Sequence, residues 1–198
     1  MPTTLLAQAD SCIGSKSSIN LGETKNILGT FEPPKRIILS THFLKTLESK
    51  DIQSGIGEMI KVHAIDGPSS YNSISKDYNK LLDDDVLLER YIYDSLLIKK
   101  RYIEEDEFDK GIRNIFNYGH SFGHAIESAT NFSIPHGIAI TIGMDMANYI
   151  ASERNLISSD DYRRMNKLLS KNYQMFQSTK IEFEPFYQAL LKDKKNTS

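Results

Sequence analysis

Apolar positions recur along this chain with two different periods. Up to about residue 40 they form short runs broken by Gly, Ser, Asn and Pro. "GSKSSINLGETKNILGTFEPP" (14–34) predicts loops and short strands, and Pro33-Pro34 forbids a helix there. "RIILS" (36–40) is β-rich and predicts a short buried strand. From Phe43 onward, apolar residues fall three and four apart, first in "THFLKTL" and then in "IQSGIGEMIKVHAI", which is a helical period. "DGPSSYNS" (66–73) signals a loop. A second helical run covers 76–105, with "DDD" (83–85) early and "KKR" (99–101) late, as the helix dipole prefers. "EDEFDKG" breaks it. Another helix carries the pair His120 and His124, a further one starts near His136 and runs toward Arg154, and "SDDYRRMNKLLSKN" and "FEPFYQALLKD" predict two more.

The pattern therefore predicts a multi-domain α/β plus all-α chain. A small loop-rich α/β piece spans 1–47 and an all-helical domain spans 48–198, with the boundary near 47–51. The first piece is too small for a sheet with its own core, because isolated strands and hairpins are marginal. "KDKKNTS" closes the chain without a capping Gly or terminal element, so both ends read as cut.

Composition narrows the function classes. Of 198 residues, 39% are hydrophobic and the formal net charge is −2, as in an ordinary globular protein. With no long basic run except the terminal "KDKK", no nucleic-acid partner is expected. Cys12 is alone, which excludes an internal disulfide and points to a reducing, cytoplasmic compartment. "MPTTLLAQAD" lacks the basic start and long apolar core of a signal peptide. "IPHGIAITIGMDMANYIA" is too short and too polar to span a bilayer, so no membrane partner is expected.

Candidate chemistry sits on the histidines. Positions four apart on a helix lie about 40° apart, so His120 and His124 share a face. If that helix extends back far enough, Arg113, Asn117 and Glu127 join them within about 60°. The stripe is polar while its flanks (Phe116, Phe122, Ala125, Ile126) are apolar, which suggests a polar cavity. His42 and His63 read as ordinary surface or core histidines. For His120 and His124, metal ligation and a satisfied core stay balanced, and His136 after "IP" tilts the reading toward metal. Two histidines and one carboxylate suffice for a catalytic zinc site, and one helical histidine could instead serve as an acid–base group. Glu58 in "SGIGEMIK" could supply the carboxylate; alone, it reads as a surface pair with Lys61. Lys99 ends the stripe Leu88, Tyr91, Ile92, Leu96 and reads as snorkelling outward, with an anionic ligand as the alternative.

"PTTLLAQADSCIGSK", "KNILGTF", "SGIGEMIK" and "NYGHSFGHAIE…PHGIAITIGM" together resemble, in order and spacing, the successive motifs of the 3-dehydroquinate synthase and sugar-phosphate cyclase family. The resemblance implies a remnant of a Rossmann-like NAD-binding α/β domain (1–47) followed by a helical metal- and substrate-binding domain (48–198), truncated at its C-terminus. It implies NAD and Zn2+, or Co2+, as cofactors, with Glu58, His120 and His136 as metal ligands and His124 near the substrate phosphate. Asp10, Lys16, Asn26, Lys61, Lys99, Asp109, Arg113 and Asn117 match active-site positions, and Lys194 resembles a lysine that reaches the phosphate. Thr3, Thr4, Lys16, Lys25 and the run Phe43, Leu44, Lys45, Thr46 match NAD contacts. Members are commonly homodimers.

The chemistry so implied is transient oxidation of a substrate hydroxyl by NAD, β-elimination of phosphate, return of the hydride, ring opening and aldol closure. Lys, Asn and His donors suit a phosphate dianion, and the Arg113 fork suits a carboxylate. Because Arg113 and Asn117 are kept, the resemblance implies a carboxylate-bearing heptulosonate 7-phosphate rather than a substrate lacking that group. Some positions depart from the family: Ser15 stands where Gly is usual, Ser17 where Thr is usual, Asp109 where Glu is usual, and "LGETKN" replaces "HPLGKN". Without a Gly-rich turn to hold a pyrophosphate, this polypeptide alone is expected to bind NAD very weakly and to turn nothing over. The competing readings are a non-catalytic metal-binding helical module, a cyclase for another ketose, and an iron- or zinc-dependent alcohol dehydrogenase, which the histidines fit in part and the lysines do not.

Overall fold

The computed structural model describes residues 1–21 and 24–192, and between residues 20 and 28 it describes backbone alone. The chain opens with a short helical segment ending in a π-type turn at Ala7–Ser11. A hairpin follows, β1 (Lys16–Leu21) and β2 (Thr24–Phe31), antiparallel with Lys16 opposite Phe31 and Ile19 opposite Leu28. A 3₁₀ turn at Thr41–Thr46 leads into the helices: α1 (Ser49–Asp66), α2 (Pro68–Asp77), α3 (Asp85–Glu105), α4 (His120–Ala129), α5 (His136–Glu153), α6 (Ser159–Asn172) and α7 (Phe183–Leu191).

Helix α1 buries every residue from Ser54 to His63. A helix enclosed all round has no polar face to keep in water and runs through the middle of its bundle. Ile56, Met59 and Ile60 meet Ile74 of α2, Tyr91 and Ile92 of α3, Ile140 and Met144 of α5 and Leu168 and Leu169 of α6 in one core. Leu5, Ala9 and Leu44 belong to the same core, so the N-terminal segment is packed into the helices. A second cluster, Ile126, Ile134, Ile138 and Ala139, is covered by Phe176, Ile181 and Phe186.

Helices α1 and α5 approach backbone to backbone. A Cβ on Gly137 would lie 1.8 Å from the Ser54 carbonyl oxygen, and one on Gly57 would lie 2.3 Å from the Gly137 oxygen. Gly137 N–H donates to Ser54 Oγ at 2.9 Å in the same contact. Buried polar bonds tie α6 and the segment after it to α5. Asp145 accepts from Asn166 at 2.8 Å and from the Tyr173 hydroxyl at 2.7 Å, and Asn172 donates to Thr141 Oγ1 at 3.2 Å.

Several local expectations are corrected. Residues 36–40 form no strand: Ile38 and Leu39 are exposed, and no described strand lies alongside to complete a ladder. Residues 66–73 are not a loop: the turn is confined to Gly67, at φ +118°, and Pro68 starts α2 at a position where its missing N–H costs nothing. The 76–105 run is interrupted by a 3₁₀ turn at Tyr78–Lys80, and α3 starts afresh where Asp84 accepts from the Leu87 N–H at 2.9 Å. The helix of the histidine pair does not reach Arg113: Ile112–Asn117 is a separate 3₁₀ turn and Gly119, at φ +76°, breaks the path. Among the described residues no helix is long and apolar enough to cross a membrane.

Three outcomes test this packing. Gly137→Ala drives a methyl into backbone that has no flexible end to move, and is expected to cost at least about 2 kcal/mol in denaturant unfolding. Ser15 holds φ +65°, so Ser15→Gly relieves about 1–2 kcal/mol of left-handed strain. It gives back about 0.4–1 kcal/mol in unfolded-chain entropy, for a net gain under about 1.5 kcal/mol. His63 is enclosed, its Nδ1 is 2.6 Å from Ser70 Oγ, and burial pushes its pKa from 6.5 down to about 4 against the opposing pull of Asp94 and Asp66, with Arg90 reinforcing the drop. The unfolded chain thus binds the extra proton between those two values, and stability falls as pH falls through that window. Wild type is expected to lose about 2 kcal/mol more than His63→Gln between pH 7 and pH 5 in urea titrations.

Candidate metal and substrate site

The α1–α5 contact sets Glu58 beside His136, the first residue of α5. Glu58 and Lys61 are 1% and 2% exposed, so they are a buried pair rather than a surface one, with Nζ 2.5 Å from Oε2. The other carboxylate oxygen, Glu58 Oε1, is buried without a hydrogen bond and lies 3.6 Å from His136 Nε2. His136 Nδ1 is 3.1 Å from Glu127 Oε2, and His120 Nδ1 is 3.2 Å from the Tyr118 carbonyl. Both of those partners can only accept, so in the neutral rings Nδ1 carries the hydrogen and Nε2 carries the lone pair. In that neutral form a lone pair of His136 faces the Glu58 carboxylate.

His120 and His124 start α4, and their ring centroids are 5.2 Å apart; His120 and His136 are 5.4 Å apart, His124 and His136 5.7 Å. One ring nitrogen from each of the three lies within 4.8 Å of the others. Three imidazoles converging in this way suit a zinc- or cobalt-sized divalent cation; Glu58 is not part of that group, but its orphaned oxygen, 3.6 Å from the His136 ring, is the kind of group such an ion satisfies.

A second layer of charge backs this cluster. Lys99 does not snorkel: it is buried, its Nζ donates to the Asp10 carbonyl at 2.6 Å and sits 3.1 Å from Asp10 Oδ1. The π-type turn aims that carbonyl and carboxylate inward, giving the ammonium a buried partner that water cannot better. Burial opposes ionisation of Asp10, but Lys61 and Lys99 together outweigh it and hold the carboxyl well below its usual range. Burial likewise disfavours the Lys61 cation, and Asp10 and Glu58 outweigh that, raising its pKa.

Lys16 pairs with Asp109, and Arg113 Nε is 4.0 Å from the same carboxylate. Asp109 has φ +56°, a region that Asp adopts more readily than longer side chains. The buried Arg113 donates to the carbonyls of Gly14, Asp106 and Glu107; among the described residues its Nε and one Nη2 hydrogen are left over. Asn117 donates to Asn114 Oδ1 at 3.3 Å and borders a cleft of about 530 Å³ with Ile65 and Tyr118. The shared stripe expected for Arg113, Asn117 and the histidines is not formed, because the backbone turns at Gly119.

Thr3 and Thr4 are exposed, Thr4 Oγ1 accepting from the Ala7 N–H at 3.2 Å. Phe43 is half-buried and Lys45 and Thr46 are exposed, whereas Leu44 is spent on the core. Gln8, which the sequence did not single out, is fully buried and donates to the carbonyls of Pro2 at 3.3 Å and Ser40 at 2.9 Å, joining the two segments. Its only sequence signal was a polar residue at an inward position of an apolar turn. Lys194 and the side chains of Lys25 and Asn26 lie outside the described residues.

Comparison with known proteins now bears on this geometry. A family model described as 3-dehydroquinate synthase C-terminal matches residues 55–196, and one described as 3-dehydroquinate synthase N-terminal matches residues 1–54. The 3-dehydroquinate synthase of Helicobacter pylori strain G27 is 39% identical over 197 residues, covering 99% of this chain and 56% of that protein. The same-named protein of Dictyoglomus thermophilum is 39% identical over 185 residues, covering 92% of this chain and 52% of that protein. The chain thus spans about half the length of the curated relatives it matches. A 2-deoxy-scyllo-inosose synthase solved with carbaglucose-6-phosphate, NAD+ and Co2+ superposes with a TM-score of 0.80 at 27% identity, over 96% of this chain and 53% of its own. A 2-epi-5-epi-valiolone synthase from Streptomyces hygroscopicus, holding NAD+ and Zn2+, shares the fold with a TM-score of 0.80 at 21% identity, over 96% and 54%. This chain belongs to the 3-dehydroquinate synthase family.

Proposed function

We propose that this chain supplies the metal- and substrate-binding half of a phosphate-eliminating cyclase that acts on a carboxylate-bearing heptulosonate 7-phosphate, as in a 3-dehydroquinate synthase. The observation that carries the reading is the bare Glu58 Oε1 facing His136 Nε2 at 3.6 Å, with His120 and His124 alongside. Glu58, His120 and His136 would hold the zinc or cobalt, and His124 would face the substrate phosphate.

When bound, the metal supplies Lewis acidity and the nicotinamide cofactor a reversible hydride acceptor. This chain's own residues do the rest. Lys61 and Lys99 set two amino groups beside carboxylates in a buried site, an arrangement that suits an anionic substrate without costly reorganisation. The unspent Arg113 donors offer a carboxylate a fixed planar fork. Residues 1–47, with Thr3, Thr4 and the 43–46 turn drawn together by Gln8, would form one wall of the cofactor site.

Calorimetry on the zinc-loaded chain tests the assignment. A heptulosonate 7-phosphate is expected to bind at least about tenfold more tightly than glucose 6-phosphate, which lacks the carboxylate, and Arg113→Lys is expected to erase the difference. Equal affinities in wild type would remove the proposed substrate class. Zinc binding with no affinity for either sugar phosphate would leave a metal-binding module without the cyclase role.

A further inference from the structure

We infer that Glu127 is a positioning residue for the proposed metal site: it fixes the tautomer and orientation of His136 from behind. The inference rests on the metal reading above and extends it to a residue outside the ligand set. Glu127 lies on α4 seven residues after His120, two turns on and on the same face. It is 3% exposed. A carboxylate so enclosed costs several kcal/mol unless it is paired, and an apolar residue would fill the position more cheaply. Its Oε2 meets His136 Nδ1 at 3.1 Å, while His136 Nε2 points the opposite way, toward Glu58 Oε1 at 3.6 Å.

The imidazole is therefore held between two carboxylates with different tasks. Glu127 can only accept, so it keeps the hydrogen on Nδ1 and leaves the Nε2 lone pair toward the Glu58 side. Its negative charge also makes that lone pair a better donor to a cation. Without Glu127, the ring is free to carry its hydrogen on Nε2, where it would hydrogen-bond Glu58 and block the site. Glu127 and His120 belong to one helix and His136 and Glu58 to two others, so the contact also fixes the start of α5 against α4.

Glu127→Leu and Glu127→Gln separate these effects, because Gln keeps an acceptor oxygen and loses the charge. Nitrogen-15 NMR of the metal-free chain, at a pH high enough that the ring is neutral, is expected to show His136 as the Nδ1–H tautomer in wild type and as Nε2–H in Glu127→Leu. Zinc affinity, by competition with a chelator, is expected to fall about 10- to 100-fold in Glu127→Leu and by less in Glu127→Gln. Urea unfolding in chelator is expected to show the Leu variant folded, which separates positioning from a fold defect. Should that variant unfold, the wild-type tautomer and the Gln variant carry the test. An Nε2–H tautomer in wild type, or undiminished zinc affinity in a folded Leu variant, overturns the inference while the metal reading stands. A wild-type chain with the Nδ1–H tautomer and no zinc affinity overturns the metal reading, and with it a metal-directed role for Glu127.

Discussion

Two helices touching backbone to backbone is the constraint on which this molecule depends. At Gly57 and Gly137 there is no room for a methyl group on either side, and the Ser54 hydroxyl spans the gap to the Gly137 N–H. Ordinary helix pairs sit 8–10 Å apart because their side chains interdigitate. Here the side chains are absent at the crossing, and the neighbours Glu58 and His136 are brought within a few ångströms of each other. The close crossing fixes where these two side chains start, and Glu58 Oε1 ends 3.6 Å from His136 Nε2. The glycines thus act on function through geometry, by setting the distance between two groups that lie far apart in sequence.

Burying four charges close together would be ruinous if they were considered one at a time. Glu58 and Asp10 are negative, Lys61 and Lys99 positive, and each sits beside a partner of opposite sign. Coulomb attraction in a low-dielectric interior offsets a desolvation cost of several kcal/mol per ion only when the geometry is close and further hydrogen bonds are made. The Lys99 bond to the Asp10 carbonyl is one of these. The balance explains why Lys99 turned inward although a lysine ending an apolar stripe ordinarily reaches for water.

Long-period features were legible in the sequence and local breaks were not. The helices over 52–65, 136–153 and 159–172 followed from apolar residues spaced three and four apart over several turns. The strand expected at 36–40 failed because a β-rich run makes a strand only beside another strand, which a local reading cannot see. The histidine helix was extended too far back for a related reason: one glycine at positive φ outweighed a polar periodicity that continued through it. The pair Glu58–Lys61 read as a surface contact because spacing reports which residues share a face but not whether that face meets water. Gln8 was passed over because a lone polar residue carries no period at all.

Glu58 shows how burial and incompleteness coexist in one side chain. Its Oε2 accepts from Lys61 in an apolar helix centre, while its Oε1 is left without a hydrogen bond. A structural ion pair would be expected to satisfy both oxygens, since an orphaned buried acceptor costs about 1–3 kcal/mol. That cost is tolerable in a folded chain if another species meets the oxygen in the working state, and the His136 ring 3.6 Å away is held from its far side by Glu127. Lys61 then has a dual effect: it holds the carboxylate in place, and its own charge offsets the negative charge the site presents. A cation entering there would meet one free carboxylate oxygen and neutral nitrogens, a donor set that favours a borderline ion such as zinc or cobalt over calcium or magnesium, which prefer oxygen ligands.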